Sequence, residues 1–231
     1  MKSNKYILNN KSVTLLTQNS KLKETSKLNK LNVFNFGITA YKTDDGFVIC
    51  KNAKECIKFC YAQNGAYNWN NTKIAYYNRF LITRKNDIFV DVIDNAIKTK
   101  KVDFLRIHDS GDFYNKTYFY NWLKIAKLNP QTKFYAYTNM INFVRNYKND
   151  IPSNFDFIFS DSGVMTNKID KNSERHTKIF LTNIYKGTKL EKYEQAKKQL
   201  LKEGFIDASK NDLLATKFLN PKNLKVGLIY H

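Results

Sequence analysis

The chain has 231 residues, of which 42% are hydrophobic and 15% aromatic, and it carries a formal net charge of +19. This length and apolar content indicate one folded domain and exclude a disordered chain. No stretch of about eighteen apolar residues occurs, which argues against a membrane span, and the N-terminus has no apolar signal core. With only three cysteines, we expect a protein of the reducing cytoplasm, where thiols bind metals more often than they form disulfides.

The positive charge predicts attraction to an anionic substrate or to nucleic acid, because a basic surface releases counterions when it meets phosphate. Lysine outnumbers arginine 34 to 5, however, and the lysines are spread along the whole chain. An AT-rich genome produces the same excess of lysine and asparagine through codon bias. Since arginine is the better bidentate reader of phosphate and guanine, sequence-specific DNA reading is not expected.

The apolar patterns divide the chain into a loose, basic and polar N-terminal arm at 1–32 and a single α/β domain at 33–231. The expected elements of that domain, in chain order, are a strand at 33–40, one or two helices over 71–98, a strand at 103–107, a helix at 116–128, a strand at 133–137, a helix at 140–148, strands at 155–159 and 178–182, a helix at 189–203 and a strand at 225–230. Alternation of strand and helix predicts right-handed crossovers and a mostly parallel sheet.

Polar motifs follow several of these strands, at the carboxyl edge where parallel α/β folds bind ligands. The triplet Asp-Ser-Gly occurs twice, at 109–111 and at 161–163, each time after an apolar strand. The repetition is either a weak internal repeat or ordinary turn chemistry.

All three cysteines, Cys50, Cys56 and Cys60, fall in the loop 50–62 with the spacing C-x5-C-x3-C. Three clustered thiolates predict a metal centre, either a [4Fe–4S] cluster with one iron left open or a zinc ion. Zinc needs a fourth ligand, which only His108, His176 or His231 could supply as histidine. The alternative is that the three thiols simply pack in the core.

The loop after the second strand of the domain holds one imidazole and two carboxylates within five residues. His108, Asp109 and Asp112 are the candidate catalytic residues, with His108 as general base, metal ligand or hydrogen-bonding partner of a substrate. Ser110 and Gly111 between them are candidate cofactor contacts, together with three residues from later strand ends, Tyr137, Thr138 and Asp161. The alternative for Asp109 and Gly111 is a helix cap and a tight turn.

Four motifs resemble those of a known family: Cys60-Tyr61-Ala62, Tyr76-Tyr77-Asn78-Arg79, Leu105-Arg106-Ile107-His108-Asp109-Ser110-Gly111-Asp112-Phe113 and Phe134-Tyr135-Ala136-Tyr137-Thr138. Together they are similar to the "gene product eighty-eight" family of bacteriophages and mobile elements, over roughly residues 20–165 and more loosely at 229–231. The family pattern includes a second cysteine cluster in the C-terminal third, which this chain lacks. The resemblance implies a phage protein but brings no assigned activity.

The layout also resembles a radical-SAM partial barrel, in which cluster cysteines follow the first strand and a motif that contacts S-adenosylmethionine follows the second. That resemblance implies a [4Fe–4S] cluster on Cys50, Cys56 and Cys60. The usual spacing there is C-x3-C-x2-C, unlike the one in this chain, and Ser110-Gly111-Asp112 stands where a Gly-Gly-Glu motif would be. Use of S-adenosylmethionine is therefore doubtful, because a fold alone does not define a reaction.

Two hypotheses of function follow. The first is an iron–sulfur enzyme of a phage or mobile element, built on a radical-SAM-like partial barrel and acting on an anionic substrate such as a nucleotide or nucleic acid. The second is a non-enzymatic, zinc-containing nucleic-acid-binding protein of phage replication.

Overall fold

A computed structural model describes residues 3–230, except the side chain of Phe59. In chain order, its strands and helices are β1 (Lys5–Leu8), β2 (Lys11–Thr14), α1 (Ser20–Asn29), β3 (Val33–Phe36), α2 (Asn70–Thr83), α3 (Asn86–Lys100), β4 (Phe104–Ile107), α4 (Lys116–Leu128), β5 (Lys133–Thr138), α5 (Ile141–Asn146), β6 (Phe155–Ser160), β7 (His176–Leu181), α6 (Lys189–Lys202), β8 (Ile206–Asp207) and β9 (Lys225–Tyr230). Within this range, no helix has the length and apolar character needed to cross a bilayer.

Seven of the strands form one parallel sheet in the order β3-β4-β5-β6-β7-β9-β8, which curls into a half-barrel. From β3 to β6 neighbouring strands start nearly level, as in the pairing of Val33 with Phe104, whereas β7 begins beside the end of β6, where His176 pairs with Phe159. The predicted α/β partial barrel is thus confirmed at the level of architecture, and α4 has the predicted bounds.

The two faces of the sheet are covered differently, because successive residues of a strand point to opposite sides. Leu105, Ile107 and Phe134 belong to the larger core, which they share with residues of α2, α3 and α4. The other face carries Val33, Phe104, Tyr135 and Ile158, and it packs against Leu22 of α1 and Leu213 of a 3-10 turn at Asp212–Ala215. Both faces are therefore closed, and the strand ends remain as the place for a site.

The predicted loose arm at 1–32 is wrong, since most of it is folded. β1 and β2 form an antiparallel hairpin whose turn residues, Asn9 and Asn10, both have positive φ, as a two-residue type I′ turn requires. The Asn19 side chain caps α1 by accepting from the Leu22 amide. Leu15 and Leu16 are fully buried. A few buried apolar residues fix this segment to the rest of the domain. The lysines and asparagines around them obscure the apolar periodicity of the sequence.

Candidate functional site

A cavity of about 370 Å³ lies at the carboxyl edge of the sheet. It gathers nearly all the site residues that the sequence predicts: Cys50, Cys56, Cys60, His108, Asp109, Ser110, Gly111, Asp112, Tyr137 and Asp161. Thr138 is the exception; it contacts the site through Asp112. The loops after β3, β4, β5 and β6 therefore converge, as the carboxyl ends of neighbouring parallel strands should.

The cysteine loop lies across this edge and is attached to it by backbone contacts. The Tyr41 carbonyl accepts from the Cys50 amide at 3.1 Å, and the Cys56 amide donates to the Ser162 carbonyl at 3.3 Å. Ala53 forms an isolated β-bridge with Gly163. Cys56 lies in a 3-10 turn, Glu55–Phe59. The segment is thus held at both ends while its centre has no regular strand or α-helix.

The three thiols suit a metal cluster by number and kind, and all are free. Among residues 3–230, however, no group of three or more His, Cys, Asp or Glu side chains is arranged closely enough to hold an ion. Burial raises the pKa of Cys50 well above its usual value, with a further contribution from Asp112, and burial also raises that of Cys60. Binding a cluster would therefore require the loop to draw the sulfurs together and release their protons.

Asp112 connects the loop after β4 to the loop after β5. Its carboxylate accepts from the Thr138 hydroxyl at 2.6 Å, the Asn139 amide at 2.9 Å and its neighbour Phe113's amide at 2.8 Å. Burial raises the Asp112 pKa to about 6, although these three donors act in the opposite direction. Gly111 makes the tight approach possible, with φ of 89° and Ile38 packed where a Cβ would be.

Asp109 lies at the centre of a tyrosine cluster. The hydroxyls of Tyr67 and Tyr76 donate to Asp109 Oδ2 at 3.0 and 2.8 Å, while Oδ1 is buried and has no hydrogen-bond partner in the described part of the chain. A side chain at Gly37 would collide with that oxygen. Asp109 is thus fixed on one side and keeps one acceptor available on the other.

His108 borders the cavity, but its imidazole packs among aromatic rings. Its φ is 65°, an uncommon value for a residue with a side chain. The ring centroid lies 4.6 Å from that of Phe113, and Nε2 is 2.8 Å from the Tyr118 hydroxyl. Burial lowers the His108 pKa to about 3, so the ring is neutral at physiological pH. This geometry favours a positioning role for His108 over proton transfer to a substrate.

Sequence reasoning missed a polar network on the other face of the sheet. Asp212 accepts from Lys21 at 2.5 Å, from Arg106 at 3.1 Å and from the Tyr135 hydroxyl at 2.8 Å. Tyr61, directly after Cys60, links this network to the site, since its hydroxyl accepts from Arg106 at 3.1 Å and donates to the Asp109 carbonyl. One signal was available: an arginine in the middle of an apolar strand needs a buried partner.

Both Asp-Ser-Gly triplets brace the connection that follows β3. The Ser110 carbonyl accepts from the Ile38 amide at 3.0 Å, and the Ser162 carbonyl accepts from Cys56. The side chain of Asp161 pairs with Lys171 at 2.8 Å. Both triplets therefore stabilise the same loop, the one after β3, at the carboxyl edge of the sheet.

The histidines considered as zinc ligands are not placed for that task. His176 begins β7 beside the end of β6, but it does not line the cavity, and its Nδ1 is 3.0 Å from the Glu174 carbonyl. His231 lies outside the described residues. The side-chain Nδ2 of Asn139 lies 3.8 Å from Cys56 Sγ, which makes Asn139 a direct neighbour of the thiols.

The fold and the site define a class: an α/β half-barrel protein with a cysteine-lined cavity at the carboxyl edge of its parallel strands. The chain belongs to the family described as Gene product 88, which it matches over residues 13–228. This confirms the predicted family and extends its match beyond the expected range.

A curated relative, the Gene 88 protein of Mycobacterium phage L5, is 26% identical over 96 residues, which cover 37% of this chain and 40% of that protein. The match thus spans about two fifths of the length of the relative. No solved structure matches the chain.

Proposed function

We propose that this protein is an iron–sulfur enzyme of phage origin, in which Cys50, Cys56 and Cys60 hold a [4Fe–4S] cluster and the adjoining cavity receives an anionic substrate. The observation that carries the proposal is that every cysteine of the chain borders one cavity. Cysteines that merely packed in the core would have no reason to share a cavity with a buried arginine and two buried aspartates.

A [4Fe–4S] cluster with three thiolate ligands supplies one-electron chemistry and one iron that is open to a ligand. The protein contributes polar atoms that are not used internally. Arg106 Nε, Asp109 Oδ1 and Asn139 Oδ1 are buried and without hydrogen-bond partners among the described residues, and all three side chains line the cavity. Arg106 Nε can donate to an anionic group, and the two oxygens can accept from donors on the same substrate.

A radical-SAM-like reaction is the more specific form of this proposal. It is supported by the half-barrel and by the order of the motifs, with cysteines after β3 and the His108–Asp112 loop after β4. The cysteine spacing and the missing Gly-Gly-Glu motif weigh against S-adenosylmethionine. We therefore propose the cluster without requiring that cofactor, in the cytoplasm of the bacterial host.

The alternative, a zinc-containing nucleic-acid-binding protein, draws less support from the geometry. His108 Nε2 is hydrogen-bonded to Tyr118 and Nδ1 is buried, so a fourth zinc ligand would require the ring to leave its aromatic neighbours. Metal analysis separates the two hypotheses directly.

The experiment is iron, sulfide and zinc analysis of protein purified without oxygen. We expect iron and sulfide together with sulfide-to-iron absorption in the visible region, and loss of both in Cys50→Ser, Cys56→Ser and Cys60→Ser. Lys58→Ala is the matched control, because it removes an exposed ion pair with Glu55 in the same loop and leaves the thiols intact. Stoichiometric zinc, or a metal-free and colourless protein, contradicts the proposal.

A further inference from the structure

A second and larger cavity, of about 550 Å³, lies beside the first and is separate from the cysteines. The two share Ala40, Ala62 and Ser110 as a common wall. Its volume is within the usual range for small-molecule sites. Neither the proposed cluster nor its ligands use this space.

The cavity is lined by tyrosines, among them Tyr41, Tyr67, Tyr76 and Tyr77. Tyr67 and Tyr76 are held by their hydrogen bonds to Asp109, and their ring centroids are 5.4 Å apart. Fixed aromatic rings around a cavity of this size suit a flat, aromatic ligand, because stacking costs little conformational entropy when the rings are already ordered.

The polar part of the lining suits a ligand that also carries phosphate. Lys42 and Lys73 are exposed at the cavity and Asp44 opposes them, which leaves a net positive charge. Gln63, Asn68 and Asn70 also line the space and add polar groups to it. Helix α2 begins next to it at Asn70, so its first amide groups add donors that favour an anion.

We propose that the tyrosine-lined cavity binds a nucleotide unit, with the base among the tyrosines and the phosphate near Lys73. This deepens the proposed function, on which it rests only for the chemistry that the bound nucleotide would undergo. Because the cavities share a wall, a nucleotide here would bring its sugar or base to the edge of the cysteine-lined site.

The apolar surface beside the cavity extends the proposal from one nucleotide to a single-stranded nucleic acid. Trp69 is 69% exposed and Ile74 is 51% exposed, which is unusual for large apolar side chains next to a basic opening. An exposed indole adjoining a nucleotide site provides a stacking platform for the next base of a single strand. A free nucleotide and a strand end share the same base-and-phosphate chemistry, and the test separates them.

The experiment measures binding of thymidine monophosphate and of a fluorescent thymidine oligonucleotide at about 0.15 M salt, where diffuse attraction is screened. Binding should quench the fluorescence of Trp69, since the other tryptophan, Trp122, is fully buried. Trp69→Ala should weaken oligonucleotide binding by about 5- to 150-fold, the range for one stacked base. Lys73→Ala should lower the salt slope by about one.

Two further variants sharpen the result. Tyr41→Gly removes a ring from the lining at a position where φ is 52°, a conformation that glycine adopts without strain, so the fold should persist while binding of both probes weakens. Lys198→Ala, an exposed lysine on α6, matches Lys73→Ala in charge.

If thymidine monophosphate binds, the site accepts a free nucleotide; if only the oligonucleotide binds, the site accepts a strand end. Failure of both probes, or equal weakening by Lys198→Ala and by the cavity variants, overturns the proposal. Iron and sulfide analysis of the same preparation is read independently of binding, which separates failure of this inference from failure of the cluster.

Discussion

Two buried aspartates, Asp212 and Asp112, lie in regions of the molecule that shift the pKa of a carboxyl group in opposite directions. Asp212 is fully buried on one face of the sheet, where Arg106 and Lys21 more than offset the effect of burial and lower its pKa. Asp112 is 3% exposed at the carboxyl edge, its described donors are all neutral, and its pKa is raised to about 6. Asp212, paired with two cations, stays ionised and stabilises the fold. Asp112 has no such partner, and with a pKa of about 6 it can gain or lose a proton close to neutral pH.

The same contrast holds for the neighbours of the two groups. Around Asp212, hydroxyls from Tyr135 and Tyr137 complete the coordination of the carboxylate. Around Asp112, Asp109 Oδ1 and Asn139 Oδ1 lack partners among residues 3–230, whereas the unpartnered atom next to Asp212 is Arg106 Nε, at the side of the guanidinium that faces away from the ion pair with Nη1. Unsatisfied buried polar atoms are uncommon in native folds and concentrate where a ligand is expected. The comparison therefore separates the part of the molecule that stabilises the fold from the part that is available for function.

The largest effect should come from Asp212→Asn. The change removes the charge that balances Lys21 and Arg106, and breaking a buried ion pair by removing one partner costs about 3–5 kcal/mol. Denaturant unfolding at neutral pH measures this loss. Glu55→Gln, which breaks an exposed pair with Lys58, is the control and should leave the midpoint unchanged. Equal effects of the two changes would show that the Asp212 network is not structural.

His108 should make the wild type lose stability in acid. Its pKa is about 3 in the fold and 6.5 otherwise, so the unfolded chain takes up the proton first; the contribution is complete above about pH 6.5 and falls as pH drops towards 3. The loss should be about 1.4 kcal/mol per pH unit, or between 2 and 3 kcal/mol, roughly, at pH 4.5.

The reference for that measurement is His108→Gln, because it retains Asp112. The raised pKa of Asp112 contributes with the opposite sign, since its stability penalty disappears as pH falls below about 6. Unfolding free energies of the two proteins, measured from pH 7 to pH 4.5, should converge. Parallel curves would mean that folding leaves the His108 pKa unchanged, as for a solvated imidazole, and would contradict the buried geometry.

Asp112→Asn should cost less than Asp212→Asn. The amide keeps one oxygen for its donors but turns an NH₂ group towards another, which leaves a buried donor unsatisfied at about 1–3 kcal/mol. Chemical unfolding of the two variants under one condition ranks them. A larger loss for Asp112→Asn would reverse the assignment of structural and functional carboxylates.

The smallest effect should come from Tyr61→Phe, which cuts the link between the two regions. Loss of the hydroxyl removes hydrogen bonds to Arg106 and to the Asp109 carbonyl, at a net cost of about 1 kcal/mol. Amide hydrogen exchange should increase in the cysteine loop and stay constant in β4 and β5. Uniform acceleration along the chain would mean that the link supports the whole fold.

Much of this arrangement could be predicted from the sequence. The strand at 155–159 and the helix at 116–128 follow from strong apolar periodicity, and one parallel sheet is enough to bring the cysteines and Asp112 to the same edge. The hairpin of β1 and β2 was not predicted, because its few buried residues are interspersed with lysine and asparagine and show no clear alternation.

Side-chain direction was not predictable in the same way. His108 adopts a positive φ, and its ring lies between Phe113 and Tyr118. The apolar periodicity of a sequence gives no indication of such a backbone angle. The pairing of Asp212 with Arg106 joins residues 106 positions apart, and a single sequence gives no measure of that contact. Position at the edge of the sheet is a property of topology, while function depends on rotamers and distant partners.

The central claim is that the three cysteines hold an iron–sulfur cluster at this edge. It is tested most directly by electron paramagnetic resonance of the anaerobically purified, reduced protein, read with its iron and sulfide content. The account predicts the signal of a reduced [4Fe–4S] cluster in the wild type and in Lys58→Ala, and its loss in Cys56→Ser. A wild-type protein without iron, or one whose signal survives in Cys56→Ser, would contradict it.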